Sequence, residues 1–268
     1  MSGKTLLTIG SMILVVLVSA ALLAPILVPR DPAAQDLEND LQPPSREHPL
    51  GTDKLGRDIL SRVLYGARVS LLVGIAIVSL SLLTGLLLGS LAGYFAGWVD
   101  QFLMRLVDVL LAFPGILLAI AFTAVLGPGL NHVILALCVI GWSGYARLVR
   151  GEILLLREKE FIQAAHALGG SPLRVIFLHM LPSLLPPLLV QGTFGLAAAV
   201  IAEGSLSFLG LGVQPPTPSW GSMLSEGRQF LLVAPHLSTF PGLAIMLTVL
   251  ALNLIGDGLR DMLEKKGK

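Results

Sequence analysis

From Val69 to Val99 the sequence contains no charged residue. About 20 consecutive apolar residues suffice for a helix to cross the hydrocarbon core of a bilayer. Only 13% of the chain is charged, whereas soluble domains carry about a quarter of such residues. Hydrophobic residues make up 54%, and the mean hydropathy is +0.82. These values predict an all-α integral membrane protein.

Six apolar stretches are long enough to be transmembrane helices. Their predicted bounds are about 6–28, 69–99, 103–126, 133–149, 184–208 and 240–255. A cleaved signal sequence is the alternative for the first stretch, but its apolar part exceeds the usual length, and we interpret it as a retained helix. The third stretch contains Phe113-Pro114-Gly115, which predicts a kink. We predict an N-terminal transmembrane helix with an extracytoplasmic segment in residues 1–68, and the core transmembrane domain in residues 69–268.

Several classes of site are disfavoured by the composition. A net charge of +1 argues against a nucleic-acid partner. The single cysteine, Cys138, permits no internal disulfide and no cysteine metal site. His48, Asp53 and Asp58 lack the spacing of metal ligands, so we predict no metal site. Gly3-Lys4-Thr5 lacks the rest of a P-loop, and no other nucleotide motif occurs.

Glycines recur every four residues at the end of the second predicted span, at Gly85, Gly89, Gly93 and Gly97. On a helix this spacing makes one smooth stripe, which lets a neighbouring backbone come close. The stripe predicts helix packing and carries no chemistry.

Two acids interrupt the predicted spans, Asp108 and Glu203, with Asn253 as a polar companion. Ionisable and strongly polar residues are costly in hydrocarbon, which makes all three candidates for a translocation path or its gate. The alternative is that each acid braces a neighbouring helix. No nucleophile–base pair or zinc-protease motif accompanies them, which argues against an enzyme. No internal repeat occurs, which argues against a stand-alone channel or secondary transporter.

Residues 160–182, between the fourth and fifth spans, form what we call the knob. Phe161, Ala164, Ala165 and Leu168 recur at spacings of three and four, which predicts an amphipathic helix with these residues on one face. Residues 169–172 read Gly-Gly-Ser-Pro and end that helix. A second apolar run, residues 175–180, is predicted to close at Pro182. Such a knob can lie in a groove of another protein, and a plain connecting loop is the alternative.

The knob resembles the "EAA" loop of ABC importer permeases in Ala164-Ala165, Leu168-Gly169, Ser171 and residues 179–182. Gln163 stands where that family usually has an acid, and Ser183 where it has asparagine. Residues 48–74, 202–212 and 253–261 resemble the second permease subunit of the dipeptide, oligopeptide and nickel ABC importers. The resemblance covers nearly the whole chain.

The resemblance implies a type I ABC importer permease fold with six transmembrane helices and a coupling loop at about residues 150–182 that docks on an ATPase. The implied coupling residues are Phe161, Gln163, Ala164, Ala165, Leu168, Gly169, Ser171, His179 and Pro182. The implied partners are a homologous permease in a heterodimer, two cytoplasmic ATPases and an extracytoplasmic solute-binding protein. ATP and Mg²⁺ would be bound by the ATPases, and this chain would bind no cofactor. The implied substrates are di- and oligopeptides, with nickel or another metal chelate as the alternative.

Six spans place both ends of the chain on one side of the membrane. With the N-terminus inside, the basic residues are in modest excess on the knob side, in agreement with the positive-inside rule. We therefore expect both termini and the knob in the cytoplasm of a bacterial cell, and the polar stretch before the second span outside the inner membrane.

Overall fold

The computed structural model describes residues 2–28 and 30–266. Its helices are α1 (Gly3–Leu22), α2 (Ile59–Phe95), α3 (Gly97–Leu111), α4 (Gly115–Leu126), α5 (Leu130–Arg157), α6 (Glu160–Ala167), α7 (Pro172–Phe208), α8 (Trp220–Gly227) and α9 (His236–Lys266). Single helical turns occur at Ala24–Leu27, Leu37–Asn39 and Arg228–Phe230. Over the described ranges no strand forms, and the extended backbone contributes one isolated bridge between Thr52 and Asp58.

Five of these helices are long and apolar enough to cross a membrane, and the pair α3 and α4 makes a sixth span if it is counted as one. The helix axes of this pair differ by 87°. The bend lies at Phe113-Pro114-Gly115, where proline lacks the backbone donor that would continue α3. The predicted kink is confirmed, and it is sharp enough to divide the span in two.

The helices extend beyond the predicted apolar spans. α2 begins ten residues before residue 69, at Ile59, because the Asp58 side chain accepts a hydrogen bond from the Ser61 backbone N–H at 2.8 Å and caps the helix there. The predicted boundary between residues 68 and 69 therefore falls inside a continuous helix. α5 and α9 likewise run on through charged residues, since helix ends are set by caps and packing and not by hydropathy.

The glycine stripe lies where α2 and α5 run parallel in close contact. A Cβ on Gly89 would come 2.5 Å from the Ala146 carbonyl oxygen, and one on Gly93 would come 3.0 Å from the Arg150 carbonyl oxygen. A Cβ on Gly85 would collide with Tyr145. Any side chain at these positions would force the two backbones apart.

Gly97 departs from the predicted stripe. It lies past the end of α2 with a φ of +59°, and a Cβ there would meet no atom within 4 Å. The chain turns from α2 into α3 at this point, and a left-handed conformation favours glycine. Gly97 therefore serves the turn and not the packing.

α7 is one helix from Pro172 to Phe208, so the prediction that Pro182 closes the second knob helix is wrong. The segment Val175–Met180 is a π-helix, and its wider turn ends two residues before Pro182. Such adjustments let a helix accommodate a proline that lacks its N–H. The knob therefore continues directly into the fifth span.

The remaining helices close the bundle. α1 packs antiparallel to α9, with Gly10 against Ala251. The short helix α8 lies on the side opposite the knob, where Trp220 is almost fully buried and its Nε1 donates to the Val63 carbonyl of α2 at 3.0 Å. A capping box between Ser219 and Ser222 starts this helix.

The close approach of α2 and α5 yields a stability prediction. Gly89→Ala places a Cβ against backbone, which cannot move aside as a side chain can, so we expect a loss of about 1–3 kcal/mol. Gly151→Ala is the matched control, because a Cβ there meets nothing within 4 Å. Thermal denaturation of the two purified variants in detergent measures the difference. Equal melting temperatures would contradict the tight packing.

Candidate functional site: the knob and the charged groups

The knob is fixed to the bundle by a buried apolar cluster. Ile162 of α6 and Val175 and Met180 of α7 are completely buried, and they pack with Ile153 of α5. Further members of this cluster are Tyr145, Val149, Ile176, Leu184 and Leu188. Burying a side chain of this size contributes about 1.5–3 kcal/mol. The knob is therefore a rigid extension of the transmembrane helices.

The turn of the knob has the geometry that its glycines predict. Gly169 is left-handed, with a φ of +78°. Its N–H donates to the His166 carbonyl at 2.9 Å, and the Gly170 N–H donates to the Ala165 carbonyl at 3.1 Å. These two bonds form a Schellman motif. Ser171 then starts α7 as its N-cap.

The outer face of α6 is an exposed apolar ridge. Phe161 is 49% exposed and Leu168 is 88% exposed, and Ala164 lies between them, also exposed. Ala165 does not belong to this ridge, because it packs against the buried cluster. It follows Ile162 by three residues and so shares the inward face. Among the other predicted coupling residues, Gln163, Gly169, Ser171 and Pro182 are exposed and His179 is half-buried.

Two contacts join the knob side of α2 to this region. The Arg157 Nη1 donates to the Gly93 carbonyl at 3.2 Å. The rings of Tyr94 and His166 lie with their centroids 5.7 Å apart. The last turn of α2 therefore lies against both α5 and α6.

Asp108 is not a buried acid of this subunit. Its side chain is 59% exposed and pairs with Arg147 of α5, which is 53% exposed, over an O–N distance of 2.7 Å. α3 packs on α5 through Val107, which turns the next residue outward. A second pair, Asp100 with Arg150, lies further toward the knob.

Glu203 is buried, with 1% of its surface exposed. The Ser207 hydroxyl donates to its Oε1 at 2.7 Å. Ser70 of α2 and Ser219, which caps α8, lie beside the same carboxylate. This position between three elements favours the bracing role over a place on an open path.

Asn253 lies half-buried on α9. Its side-chain amide donates to the Val249 carbonyl, one turn back in the same helix, at 2.8 Å. The structure does not bring Asn253 together with Asp108 or Glu203 into one site.

An ion cluster that was not predicted joins residues 53–62 to α8. Arg57 contacts Asp53 and Glu226, each at 2.6 Å, and Arg62 contacts Glu226 at 3.2 Å and Asp53 at 3.4 Å. Two acids balance two arginines, which offsets the cost of burying them. The sequence spacing of Asp53 and Arg57 is a local signal, but their partner Glu226 is 169 residues away from Arg57.

The side chains considered above as metal ligands in this region form ion pairs instead. His48 pairs with Asp58 at 2.9 Å and Asp53 with Arg57. Within residues 2–28 and 30–266 no three metal-ligating side chains come together.

Removing one negative charge from the ion cluster should strongly reduce the stability of the protein. Asp53→Asn leaves Arg57 and Arg62 buried with one carboxylate, so we expect a loss of about 3–5 kcal/mol. The control is Glu47→Gln, since Glu47 is 78% exposed and lies 3.6 Å from Arg30; exposed pairs contribute about 0–1 kcal/mol. Thermal denaturation in detergent compares the two. An equally small change in both would show that the cluster does not hold residues 53–62.

Comparisons with known proteins agree with this arrangement. Residues 85–267 match the family model "Binding-protein-dependent transport system inner membrane component", and residues 4–44 match the "N-terminal TM domain of oligopeptide transport permease C". A chain of the MetNI methionine ABC transporter in an inward-facing conformation has the same fold. The TM-score is 0.60 and the identity 20%, over 74% of this chain and 94% of that one. The predicted type I ABC importer permease fold is confirmed.

Two curated relatives align over 97% of this chain and 86% of their own length. The dipeptide transport system permease protein DppC of Alkalihalophilus pseudofirmus is 47% identical, and the glutathione transport system permease protein GsiD of Pectobacterium atrosepticum is 45% identical. At this identity over almost the whole length, fold and subunit type are shared. The chain therefore belongs to the family of binding-protein-dependent transport system inner membrane components and is a multi-pass permease component of an ABC importer.

Proposed function

We propose that this chain, paired with a homologous permease, forms the path by which di- or oligopeptides enter a bacterial cell through the inner membrane. The observation that carries the proposal is the exposed apolar ridge of α6, held rigidly by the buried cluster. An exposed apolar helix face on a rigid base is the form of a helix-in-groove contact. Its proposed partner is one of two cytoplasmic ATPases.

The substrate class rests on the relatives. One is named for dipeptides and one for glutathione, and both are small peptides. Import of nickel or another metal chelate is the second candidate, because the sequence motifs are shared with nickel permeases. The two candidate substrates are distinguished by a ligand-binding assay on the solute-binding protein that is encoded beside this permease. The assay compares binding of peptides with binding of metal chelates. A stand-alone channel or secondary transporter would move peptide without ATP.

The proposed mechanism uses the rigidity of the knob. ATP and Mg²⁺ would be bound by the partner ATPases, whose closure moves the bound ridge. Because Ile162 packs on Ile153 of α5, the movement passes to the transmembrane helices as a rigid-body rotation. The permease pair would then alternate between inward-open and outward-open states, and the external solute-binding protein would deliver the peptide.

The proposed orientation puts the knob and both termini in the cytoplasm. The ion cluster of residues 53–62 and α8 then lies outside. The division into residues 1–68 and a core permease domain of residues 69–268 stays a prediction.

Cysteine labelling tests the orientation. In a Cys138→Ala background, Asn39→Cys should react with a membrane-impermeant maleimide in intact cells, because Asn39 is exposed on the proposed outer side. His166 is also exposed, on the knob, and His166→Cys should react only after the cells are opened. Labelling of His166→Cys in intact cells would reverse the orientation.

The coupling contact has its own prediction. Gly169→Asp requires an L-residue at a φ of +78° and adds a charge beside the ridge, so we expect the ATPases to be lost on co-purification, or retained without substrate-stimulated hydrolysis. Leu168→Asp should have the same effect with no backbone strain. Pairing with the second permease should persist.

Leu232→Asp is the matched control. Leu232 is fully exposed and Leu168 is 88% exposed, but Leu232 lies next to the α8 end of the molecule. Co-purification of the ATPases and ATP-driven peptide uptake into proteoliposomes should both remain normal. Normal co-purification and uptake in Gly169→Asp and Leu168→Asp would refute the coupling role.

A further inference from the structure

An open groove of about 420 Å³ lies where the last two turns of α7 meet α8 and α9. Leu224 of α8 and Ile245 of α9 line it. Four further lining residues recur on one face of α7 at spacings of three and four: Ile201, Gly204, Ser205 and Phe208. Ligand pockets usually measure about 300–1,000 Å³, so the groove is large enough for part of a ligand.

The groove exists because α7 carries a glycine where it faces α9. A Cβ on Gly204 would lie 3.6 Å from the Ile245 Cδ1, the distance of an ordinary van der Waals contact. A longer side chain at this position would therefore occupy the space between the two helices. Glycine leaves that space open toward the surface of the bundle.

The lining of the groove is almost entirely apolar. Its one side-chain hydroxyl, that of Ser205, donates to the Ile201 carbonyl one turn back in α7 at 2.8 Å. The lining side chains therefore leave a polar ligand without hydrogen bonds, which makes its transfer from water unfavourable. The part of a ligand that lies in the groove must be apolar.

A positive charge stands at one end of the groove. The Cζ of Arg228 lies 5.5 Å from the centre of the Phe208 ring, which lines the groove. The Arg228 side chain is exposed, and it forms no salt bridge with any residue in the ranges 2–28 and 30–266. Its guanidinium can therefore bind an external anion.

The groove lies at the end of two membrane-spanning helices. Both α7 and α9 are long and apolar enough to cross a membrane, and Phe208 is the last residue of α7. Basic side chains at the end of a span reach the level of the lipid headgroups. From Phe208 to Ile201 the groove follows α7 for about 10 Å, within the roughly 15 Å of hydrocarbon in one leaflet.

We propose that this groove binds an acyl chain of an anionic phospholipid, whose phosphate is held by Arg228. A phospholipid combines the two properties that the site requires, an apolar chain and a negative charge at its end. A guanidinium binds phosphate through two parallel N–H bonds. An apolar helix of a partner subunit could cover the groove, but it would bring no anion to Arg228. The bound lipid would contact α7, α8 and α9 together and stabilise their arrangement.

The location is tested with brominated lipids, which quench the fluorescence of a tryptophan that they touch. Leu209→Trp places a reporter in the lining, at a position that is 53% exposed. The permease, purified with its bound subunits, is reconstituted in nanodiscs that contain brominated phosphatidylglycerol or brominated phosphatidylcholine. The signal of the same protein without the reporter is subtracted. Anionic phosphatidylglycerol should be preferred over zwitterionic phosphatidylcholine about fivefold.

Leu243→Trp is the matched control reporter. Leu243 is 42% exposed on α9 but does not line the groove, so it should show no preference between the two lipids.

The charge is tested in the Leu209→Trp background. Arg228→Gln should remove the preference for phosphatidylglycerol. Arg46→Gln, which changes another exposed arginine in the segment before α2, should leave the preference unchanged. A preference that persists in Arg228→Gln would contradict the role of this arginine.

The groove itself is tested by filling it. Ser205→Phe loses only a hydrogen bond within α7, so the protein should still fold. In wild type, phosphatidylglycerol should raise the melting temperature in detergent more than phosphatidylcholine does, and Ser205→Phe should abolish this difference. Leu243→Phe, outside the groove, should retain it. An unchanged difference in Ser205→Phe would refute binding in the groove.

Two further outcomes would overturn the proposal. If neither brominated lipid quenches the Leu209→Trp reporter, another protein surface covers the groove. If both quench it equally, the groove contacts bulk lipid and Arg228 selects no headgroup.

Discussion

The close approach of α2 and α5 determines where the functional parts of this permease lie. Gly85, Gly89 and Gly93 let the two backbones touch over about two turns. At the end of this contact the Gly93 carbonyl accepts from Arg157, the last residue of α5. Larger residues in the stripe would separate the helices and remove the platform on which α6 is packed. The knob is thus positioned by residues that have no side chains of their own.

The ion pairs near α8 differ in burial from a pair between α3 and α5. Near α8, Asp53, Arg57, Arg62 and Glu226 form a compact neutral cluster, and buried pairs of this kind hold elements in one arrangement. Between α3 and α5 the Asp108–Arg147 pair is more than half exposed and can exchange partners at low cost. One end is therefore suited to stay fixed while the other rearranges.

Patterns that depend on neighbouring residues were predictable from the sequence. The apolar spans, the kink at Pro114 and the left-handed turn at Gly169 each follow from a few consecutive residues. The prediction at Pro182 was wrong because the π-helical segment before it lets the helix accommodate a residue without a backbone N–H. Local sequence propensities do not reveal such a segment. The predicted spans were shorter than the observed helices because polar caps and packing, and not hydropathy, determine where the helices end.

The candidate site was only partly predictable for the same reason. The ridge residues Phe161, Ala164 and Leu168 follow from helical spacing, but Ala165 faces inward because Ile162 anchors the helix. The exposure of Asp108 depends on how α3 packs against α5, and the contact of Arg57 with Glu226 joins distant parts of the chain. Such contacts are set by the tertiary structure alone.

One helix, α5, joins the knob to the open cavity between α2, α4, α5 and α7. Ile153 of α5 packs on Ile162 of the knob, and Tyr145 and Arg147 of the same helix contribute to the cavity and the Asp108–Arg147 pair. Eight residues of helix separate Tyr145 from Ile153, a rise of about 12 Å. Tyr145 belongs to the same buried cluster as Ile153 and Ile162, so the base of the knob and one wall of the cavity share a packed core. The knob and the wall of the cavity are therefore joined through α5 without any intermediate element.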